Sequence, residues 1–237
     1  MEVWVELKPY YGVEIAAKAL KHLSYADKID VPDQPVGIAF SSPVISAYLA
    51  AHLGGDRIVS HVRTVDHTPN SLKAVLKTLS SIGISDIVLL TGDPVGPKIG
   101  LRPEEAIRVA RKYKERFGLQ AGFIVSLRKD YDVISKRLAL NPDFILVLNA
   151  TKGYLWKLDK IRRVFGGRIY VYLVVAGESS ERVGGKIKSV MMTESDLIDL
   201  AQEIAARGLA DGFLVSSPAD DDLIERVSRA VKRLGKS

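Results

Sequence analysis

One acidic side chain interrupts an apolar segment at the start of the chain, where it could serve as a proton donor. The segment is Val3–Leu7 (VWVEL), and strand alternation would place Trp4 and Glu6 on the same face. If that face lines a cavity, removal from water would raise the pKa of the Glu6 carboxyl and suit it to general acid catalysis. The alternative is an ordinary ion pair with Lys8, on the same side. The sequence leaves both interpretations open.

A second candidate group ends the strongest of the predicted strands, Ile87–Thr91. It consists of Thr91, Gly92, Asp93 and Pro94. Glycine lets a ligand approach the backbone closely, and a carboxylate can accept a hydrogen bond from a ring N–H. The other interpretation is a turn in which Asp93 caps the next segment.

The segment His61–His67 (HVRTVDH) holds several side chains that could bind a ligand. A metal site needs three or four converging ligands, and strand alternation would place Asp66 opposite His61. We therefore expect no metal site, and we interpret His61 as a hydrogen-bonding residue of a pocket. No serine lies in a G-x-S-x-G turn, and the glycine pairs lack the phosphate-loop pattern. A serine triad and a P-loop are therefore not predicted.

Short apolar runs alternate with amphipathic segments along the whole chain. Parallel strands buried on both faces have such continuous Val/Ile/Leu runs. We predict a single (β/α)₈ TIM barrel over residues 1–237. An open doubly wound sheet is the alternative, but the segment Lys8–Gly12 is not the Gly-rich turn it requires. The predicted strands are Val3–Lys8, Lys28–Val31, Ile58–Arg63, Ile87–Thr91, Ala121–Ser126, Phe144–Leu148, Ile169–Val175 and Gly212–Val215, and the predicted helices are Val13–Leu23, Ser42–His52, Ser71–Ser80, Pro103–Phe117, Leu155–Val164, Thr193–Arg207 and Asp221–Leu234.

Polar residues follow the carboxyl ends of these strands, which is where TIM barrels bind their ligands. The sequence therefore predicts a small-molecule site at that end. The residues in question are Glu6, Lys8, Asp33, Gln34, His61, Arg63, Thr64, Asp66, Thr91, Gly92, Asp93, Ser126, Arg128, Asp130, Asn149, Thr151, Gly177, Glu178, Ser216 and Ser217.

Composition restricts the classes of function. The absence of cysteine excludes disulfides, thiolate metal sites and cysteine nucleophiles. The net charge is +6, but basic and acidic residues alternate along the predicted helices, so we expect no nucleic-acid partner. No apolar run approaches the roughly 20 residues of a membrane span, and we expect a cytoplasmic protein with no membrane partner. Few Asn and Gln beside many Lys, Arg and Glu are typical of thermophiles.

Four segments together resemble the methylenetetrahydrofolate reductase family. His61–Pro69 (HVRTVDHTP) and Gly83–Pro94 (GISDIVLLTGDP) are similar, at the same spacing, to its third and fourth strands, which have the patterns His-Leu-Thr-Cys-(Arg/Ile)-Asp and Gly-Ile-x-Asn-Ile-Leu-x-Leu-(Arg/Thr)-Gly-Asp-x-Pro. Val5–Pro9 (VELKP) and Ile29–Gln34 (IDVPDQ) resemble the first and second strands. The later half is similar only as barrel strands.

The resemblance implies a flavin-binding barrel that reduces a methylene bridge on a reduced folate or pterin to a methyl group, as in one-carbon metabolism. The cofactor would be FAD, or FMN in its place, and electrons would come from a nicotinamide or a protein donor. Glu6 would protonate the pterin-side nitrogen, and Asp93 would lie beside the flavin pyrimidine and bind the pterin. The resemblance also implies flavin contacts by His61, Thr64, Thr91, Gly92, Ser126 and, in a helix after strand five, Asp132, Lys136 and Arg137, with substrate contacts by Asp33, Gln34 and Asn149.

Several positions depart from the family's pattern. Arg63 and Thr64 replace Thr and Cys, and Ser126 begins a Ser-Leu pair in place of a frequent Asn-Pro. The segment Gly177–Lys188 has no aromatic residue, whereas better-known members stack a phenylalanine there. The chain is also shorter than typical members, so we expect a homo-oligomer or a partner subunit, or a modified pterin as substrate. A noncatalytic paralogue acting as a binding subunit is the alternative, and a phosphate-binding lyase or aldolase is a third hypothesis.

Overall fold

A computed structural model describes residues 1–8, 12–33, 40–92, 100–177, 191–218 and 220–236 of the chain. The strands are β1 (Glu2–Glu6), β2 (Lys28–Val31), β3 (Ile58–Arg63), β4 (Asp86–Leu90), β5 (Gln120–Ser126), β6 (Phe144–Leu148), β7 (Arg168–Val175), β8 (Met191–Met192) and β9 (Gly212–Ser216). The helices are α1 (Ile15–Leu23), α2 (Ser42–Leu53), α3 (Pro69–Ser81), α4 (Pro103–Phe117), α5 (Tyr131–Leu138), α6 (Leu155–Val164), α7 (Glu194–Ala206) and α8 (Asp221–Arg233).

Eight strands close into a barrel in which every neighbouring pair is parallel. Their order around the barrel is β1 to β7 and then β9, which pairs with β1. In the described part of the chain, each of these eight strands is followed by one α-helix, and the two-residue β8 pairs with the end of β7. The predicted fold class, a (β/α)₈ TIM barrel, is confirmed.

The bounds of the elements predicted from periodicity agree with the structure to within two residues at each end. Two elements did not show in the periodicity. The helix α5 has eight residues and buries only Ile134 and Leu138, so its apolar pattern is too short to recognise. The strand β8 exists through its pairing with Val174 and Val175, which no local pattern reveals.

The middle of the barrel is filled by aromatic side chains. Trp4 stacks on Tyr170 with ring centroids 3.8 Å apart, and Phe144 meets Trp4 edge-on at 5.6 Å. A Cβ atom at Gly122 would lie 2.4 Å from the Phe144 ring, and one at Gly212 would lie 2.9 Å from the Tyr170 ring. These two glycines therefore make room for the rings, and the packed middle leaves ligand space only near the barrel's ends.

Charged side chains close the amino-terminal end of the barrel. Asp86 accepts hydrogen bonds from Lys28 at 2.5 Å and from Arg168 at 2.8 Å. Glu2 accepts from the hydroxyl of Tyr170 at 2.6 Å and from the indole N–H of Trp4 at 2.8 Å. These polar groups satisfy one another's hydrogen-bonding capacity and fill the amino-terminal end. A ligand is therefore expected at the carboxyl end.

The helix α2 differs from the others on its outer face. It carries no charged residue, and residues 34–55 as a whole contain none. Val44 and Tyr48, one turn apart on α2, are exposed, as is Phe40 just before it.

Within the described ranges, no helix combines the length and the apolar character that crossing a lipid bilayer requires.

Candidate functional site

A cavity of about 480 Å³ opens among the carboxyl ends of the strands. This volume is within the range of small-molecule and cofactor sites. Its polar lining includes Glu6, Asp33, His61, Thr91, Ser126 and Tyr172, and its apolar lining includes Leu89, Leu90, Ile124, Leu146, Leu148 and Leu214. The cavity thus has a carboxylate-rich side on β1 to β3 and a mainly apolar side on β4 to β6.

Glu6 is the last residue of β1, and its carboxyl group is held by two hydroxyl groups. Tyr172 donates a hydrogen bond of 2.7 Å to Oε2, and Ser216 donates one of 2.8 Å to Oε1. Burial, together with the negative charge of Asp30, raises the pKa of Glu6, and the two hydroxyl donors only partly oppose this rise. A carboxyl group in this state can store a proton and release it to a bound molecule.

Lys8 is not the ion-pair partner of Glu6. Its ammonium group lies 2.8 Å from the carboxylate of Asp221, at the start of α8. Asp221 also pairs with Lys18 of α1 at 3.2 Å. Lys8 therefore forms its ion pair with a residue of an outer helix. The Glu6 carboxyl group has no ion pair with Lys8 and faces the cavity.

Asp30 and His61 form a buried pair next to Glu6. His61 Nε2–H donates to Asp30 Oδ1 at 2.9 Å, while Asp30 Oδ2 has no hydrogen-bond partner in the described part of the chain. Burial lowers the pKa of His61, but the charge and hydrogen bond of Asp30, with the charges of Glu6 and Asp33, raise it overall. The charges of this pair act on Glu6 in opposite directions, because Asp30 raises the pKa of Glu6 and His61 lowers it.

Two of the predicted ligand contacts serve the backbone. Asp33 accepts 3.0 Å hydrogen bonds from the backbone N–H groups of Ser42 and Arg63, one on each carboxylate oxygen. Asp33 still lines the cavity. Thr64 is buried, donates to the carbonyl oxygen of Leu90 at 3.3 Å, and lies outside the cavity lining. Both side chains hold the ends of β2 to β4 in place.

Thr91 and Gly92 form part of the cavity wall after β4. Gly92 has a φ of +75°, and a Cβ atom there would lie 3.0 Å from Cγ and Nη1 of Arg63. Arg63 is buried and donates to Asp66 at 2.8 Å. The glycine is thus required both by the backbone conformation and by the arginine packed against it. The predicted residues Asp93 and Gln34 lie outside the described residues.

The helix after strand five contributes one of its three predicted residues to the cavity. Arg137 lines it, while Asp132 and Lys136 are exposed on α5 and lie outside the lining. The guanidinium of Arg137 donates to Glu104 at 2.5 Å and to the carbonyl oxygen of Ile124 at 2.9 Å. Lys129, in the loop before α5, also lines the cavity and is exposed. The rim on this side therefore carries two basic side chains, one of which, Arg137, is paired with Glu104.

Asn149 occupies a left-handed backbone conformation with a φ of +61° directly after β6. Its amide group donates to the hydroxyl oxygen of Ser126 at 2.8 Å, and Ser126 lines the cavity. The amide oxygen of Asn149 is buried and has no hydrogen-bond partner among the described residues. Asn149 itself, for which the resemblance implies a substrate contact, lies outside the cavity lining, and its amide group holds Ser126, which lines the cavity.

Acidic residues crowd the place where many barrels bind phosphate. Asp220 caps α8 by accepting from the backbone N–H of Leu223 at 2.9 Å, and Asp221 and Asp222 follow it. A Cβ atom at Gly177 would lie 3.0 Å from the Asp220 side chain, so these loops are in close contact. The Asp220 carboxylate occupies the amino terminus of α8, the position that an anion would take, while Asp221 is paired with Lys8 and Lys18. This arrangement disfavours the phosphate-binding lyase or aldolase hypothesis.

Three residues at the site, Tyr172, Asp30 and Lys129, are not predicted from the sequence. Tyr172 lies two residues after Tyr170 and so points to the same, interior face of β7. A polar aromatic residue at an interior position near the end of a strand indicates a site residue. Asp30 lay inside the segment on which the family resemblance rests, but only its hydrogen bond to His61 shows what it contacts. Lys129 is a loop residue, and no periodicity locates it. Among the described residues, no group of three or more His, Asp or Glu side chains is placed to hold a metal ion.

Comparison with family models gives no match, and comparison with curated proteins gives none either. Solved structures do match over nearly the whole chain. The EDTA monooxygenase from Chelativorans sp. BNC1 has a TM-score of 0.66 at 12% identity, covering 100% of this chain and 93% of that one. KGPDC from Streptococcus mutans has a TM-score of 0.62 at 14% identity, covering 99% and 96%. A tryptophan synthase from M. tuberculosis has a TM-score of 0.59 at 14% identity, covering 98% and 92%. At these identities the similarity shows the TIM-barrel fold alone.

Proposed function

We propose that this protein is a flavin-dependent reductase that converts a methylene group on a reduced folate or pterin into a methyl group. The observation that supports this most directly is the Glu6 carboxyl group, which faces the cavity with a raised pKa and two fixed hydroxyl donors. The reaction needs one positioned proton donor, and the described part of the cavity supplies this one. The family resemblance of the first four strands supports the same assignment.

The role of the protein is to deliver a proton at one atom. The methylene carbon bridges two nitrogens of the substrate, and one carbon–nitrogen bond must break. Glu6 would give its proton to the nitrogen that leaves, which keeps that nitrogen neutral and lets the bridge open. A hydride then adds to the freed carbon and completes the methyl group. The opposite charges of Asp30 and His61 would act on the Glu6 carboxyl group during this transfer.

The residues of the cavity fit a flavin. The leucine and isoleucine side chains of β4 to β6 offer an apolar surface for a flat ring system, and Gly92 adds backbone with no side chain in the way. Lys129 and Arg137 stand at the rim on the same side, and although Arg137 is paired with Glu104, the ammonium group of Lys129 would favour a phosphate group there. When bound, the flavin supplies the hydride.

A direct test is the absorbance spectrum of the purified protein with and without added FAD or FMN. The proposal expects flavin bands, and it expects them to bleach on anaerobic mixing with NADH, NADPH or a reduced protein donor. Methylene-tetrahydrofolate or a methylene-tetrahydropterin should then restore the oxidised bands. A colourless protein that binds neither flavin would refute the proposal.

The variant Glu6→Gln separates an enzyme from a noncatalytic barrel. Glutamine keeps the shape of the side chain but holds no transferable proton, so turnover should fall by about 10²-fold or more while flavin remains bound. Glu2→Gln changes a β1 carboxylate at the opposite end of the barrel and should retain turnover. If Glu6→Gln turned over at the normal rate, or if no turnover existed to lose and a tightly bound protein partner were found, the binding-subunit alternative would be preferred.

A further inference from the structure

Two tyrosines of β7 reach across β9 to two glutamates of β1, one pair at each end of the barrel interior. Tyr170 donates to Glu2 at 2.6 Å, and Tyr172 donates to Glu6 at 2.7 Å. Since β9 lies between β7 and β1, the side chains must bridge two strand spacings, about 10 Å in all. Only a long side chain with a terminal donor can make such a contact. The pair at the carboxyl end lies in the cavity, where the chemistry is placed.

We propose that Tyr172 is a positioning residue, one that fixes the orientation of the Glu6 carboxyl group and adjusts the strength of that group as an acid. This inference rests on the proposed function, because it assigns a task to a residue beside the expected proton donor. Tyr172 acts through Glu6 and need not touch the reacting atoms.

The orientation of Glu6 follows from the two donors. Tyr172 binds Oε2 from β7, and Ser216 binds Oε1 from β9. Two donors on different strands define the plane of the carboxyl group, whereas Ser216 alone would let the group rotate about its last bond. A proton donor must be held within a few tenths of an ångström of its productive position, so the second donor has a function that packing alone does not provide.

The acidity of Glu6 follows from the groups of the described residues that face it. Burial and the charge of Asp30 on β2 raise its pKa, and the hydroxyl groups of Tyr172 and Ser216, with the charge of His61 on β3, lower it. Burial, with the charge of Glu6, raises the pKa of Tyr172 itself well above its ordinary value, so the phenol stays neutral and remains a donor. Tyr172 thus prevents Glu6 from becoming too weak an acid to release its proton.

The test is a titration of Glu6 in flavin-free protein, followed by NMR with glutamate labelled at the carboxyl carbon. The Glu6 signal is identified by its absence in Glu6→Gln. Removal of the donor in Tyr172→Phe should raise the pKa of Glu6 by about one unit, since hydrogen bonds to charged groups are the strong ones. Replacement of Tyr172 by 3,5-difluorotyrosine makes a stronger donor and should lower it. Tyr170→Phe, the matched control, removes the equivalent hydroxyl at Glu2 and should leave the Glu6 titration unchanged.

An unchanged Glu6 titration in Tyr172→Phe would overturn the inference, and so would an equal shift in Tyr170→Phe. If Tyr172→Phe does not fold, the difluorotyrosine protein decides, because it keeps the hydroxyl group: a downward shift supports the inference and no shift overturns it. The titration needs neither flavin nor substrate. A shifted Glu6 in a protein that binds no flavin would refute the reductase alone, and a working reductase with an unshifted Glu6 would refute the role of Tyr172 alone.

Discussion

Glu6 of β1 and Asp30 of β2 are paired residues of the parallel ladder at the mouth of the barrel. Like charges at this spacing oppose each other's ionisation, and both residues lie where burial strengthens the effect. Burial, together with the charge of Asp30, raises the pKa of Glu6, and Asp30 also accepts a hydrogen bond from His61. The proton-donor character of Glu6 is therefore a property of two neighbouring strands.

Asparagine at position 30 tests this relationship. Asp30→Asn keeps the shape of the side chain but removes the charge that helps to raise the pKa of Glu6, so that pKa should fall. A general acid works only while protonated, so activity is full below the pKa of Glu6 and is lost as pH rises through it. The descending limb of the profile of kcat/KM against pH should therefore move to lower pH in the variant. An unmoved limb would show that Asp30 does not act on Glu6.

The stability of Glu6→Gln should depend on pH in a defined direction. Because the pKa of Glu6 is raised in the folded protein above its ordinary value of 4.5, its contribution to stability is full below that value and is lost as pH rises through the raised pKa. Glutamine stays neutral, so the variant should gain on the wild type as pH rises above 4.5 and toward the raised pKa. Each kcal/mol gained would raise Tm by about 2–4 °C. Thermal unfolding at several pH values measures this, and a constant difference in Tm would contradict it.

Gly92 should be intolerant of alanine for two separable reasons. The positive φ alone costs an L-residue about 1–2 kcal/mol, and the contact with Arg63 at 3.0 Å adds to it. Gly118→Ala is the matched control, because Gly118 has a similar φ of +69° and open space around its Cβ position. Urea unfolding should show a larger loss for Gly92→Ala than for Gly118→Ala. Flavin affinity should fall only in Gly92→Ala, and equal effects of the two variants would contradict the close approach.

Two lysines near α5 should differ in their effect on flavin binding. Lys129 lines the cavity and Lys136 lies outside the lining, although the family resemblance implied a contact for Lys136. Lys129→Ala should weaken binding by about 5-fold, the loss of roughly 1 kcal/mol expected for a phosphate contact, and Lys136→Ala should leave it unchanged. Fluorescence titration at low and high salt measures both, and the Lys129→Ala effect should shrink as salt rises. The reverse order of effects would support the contact implied for Lys136.

Much of the candidate site could be predicted from the sequence, because a parallel barrel brings the ends of its strands together. Glu6, His61, Thr91, Gly92 and Ser126 all line the cavity as their positions after strands predicted. Thr64 does not, since its hydroxyl turns toward the carbonyl oxygen of Leu90. No strand pattern distinguishes these cases, because rotamer choice depends on neighbours that are distant in sequence.

The sequence by itself determined the barrel. Its strands are continuous apolar runs, which must be buried on both faces of the sheet. Its helices are amphipathic, with apolar residues on one face. Few architectures accommodate an alternation of such strands and helices. The tertiary structure alone decided which groups meet. Lys8 pairs with Asp221 and Glu6 with Tyr172, at separations of 213 and 166 residues. Such contacts depend on strand order, side-chain length and the distance across the closed sheet, and only folding fixes these three together.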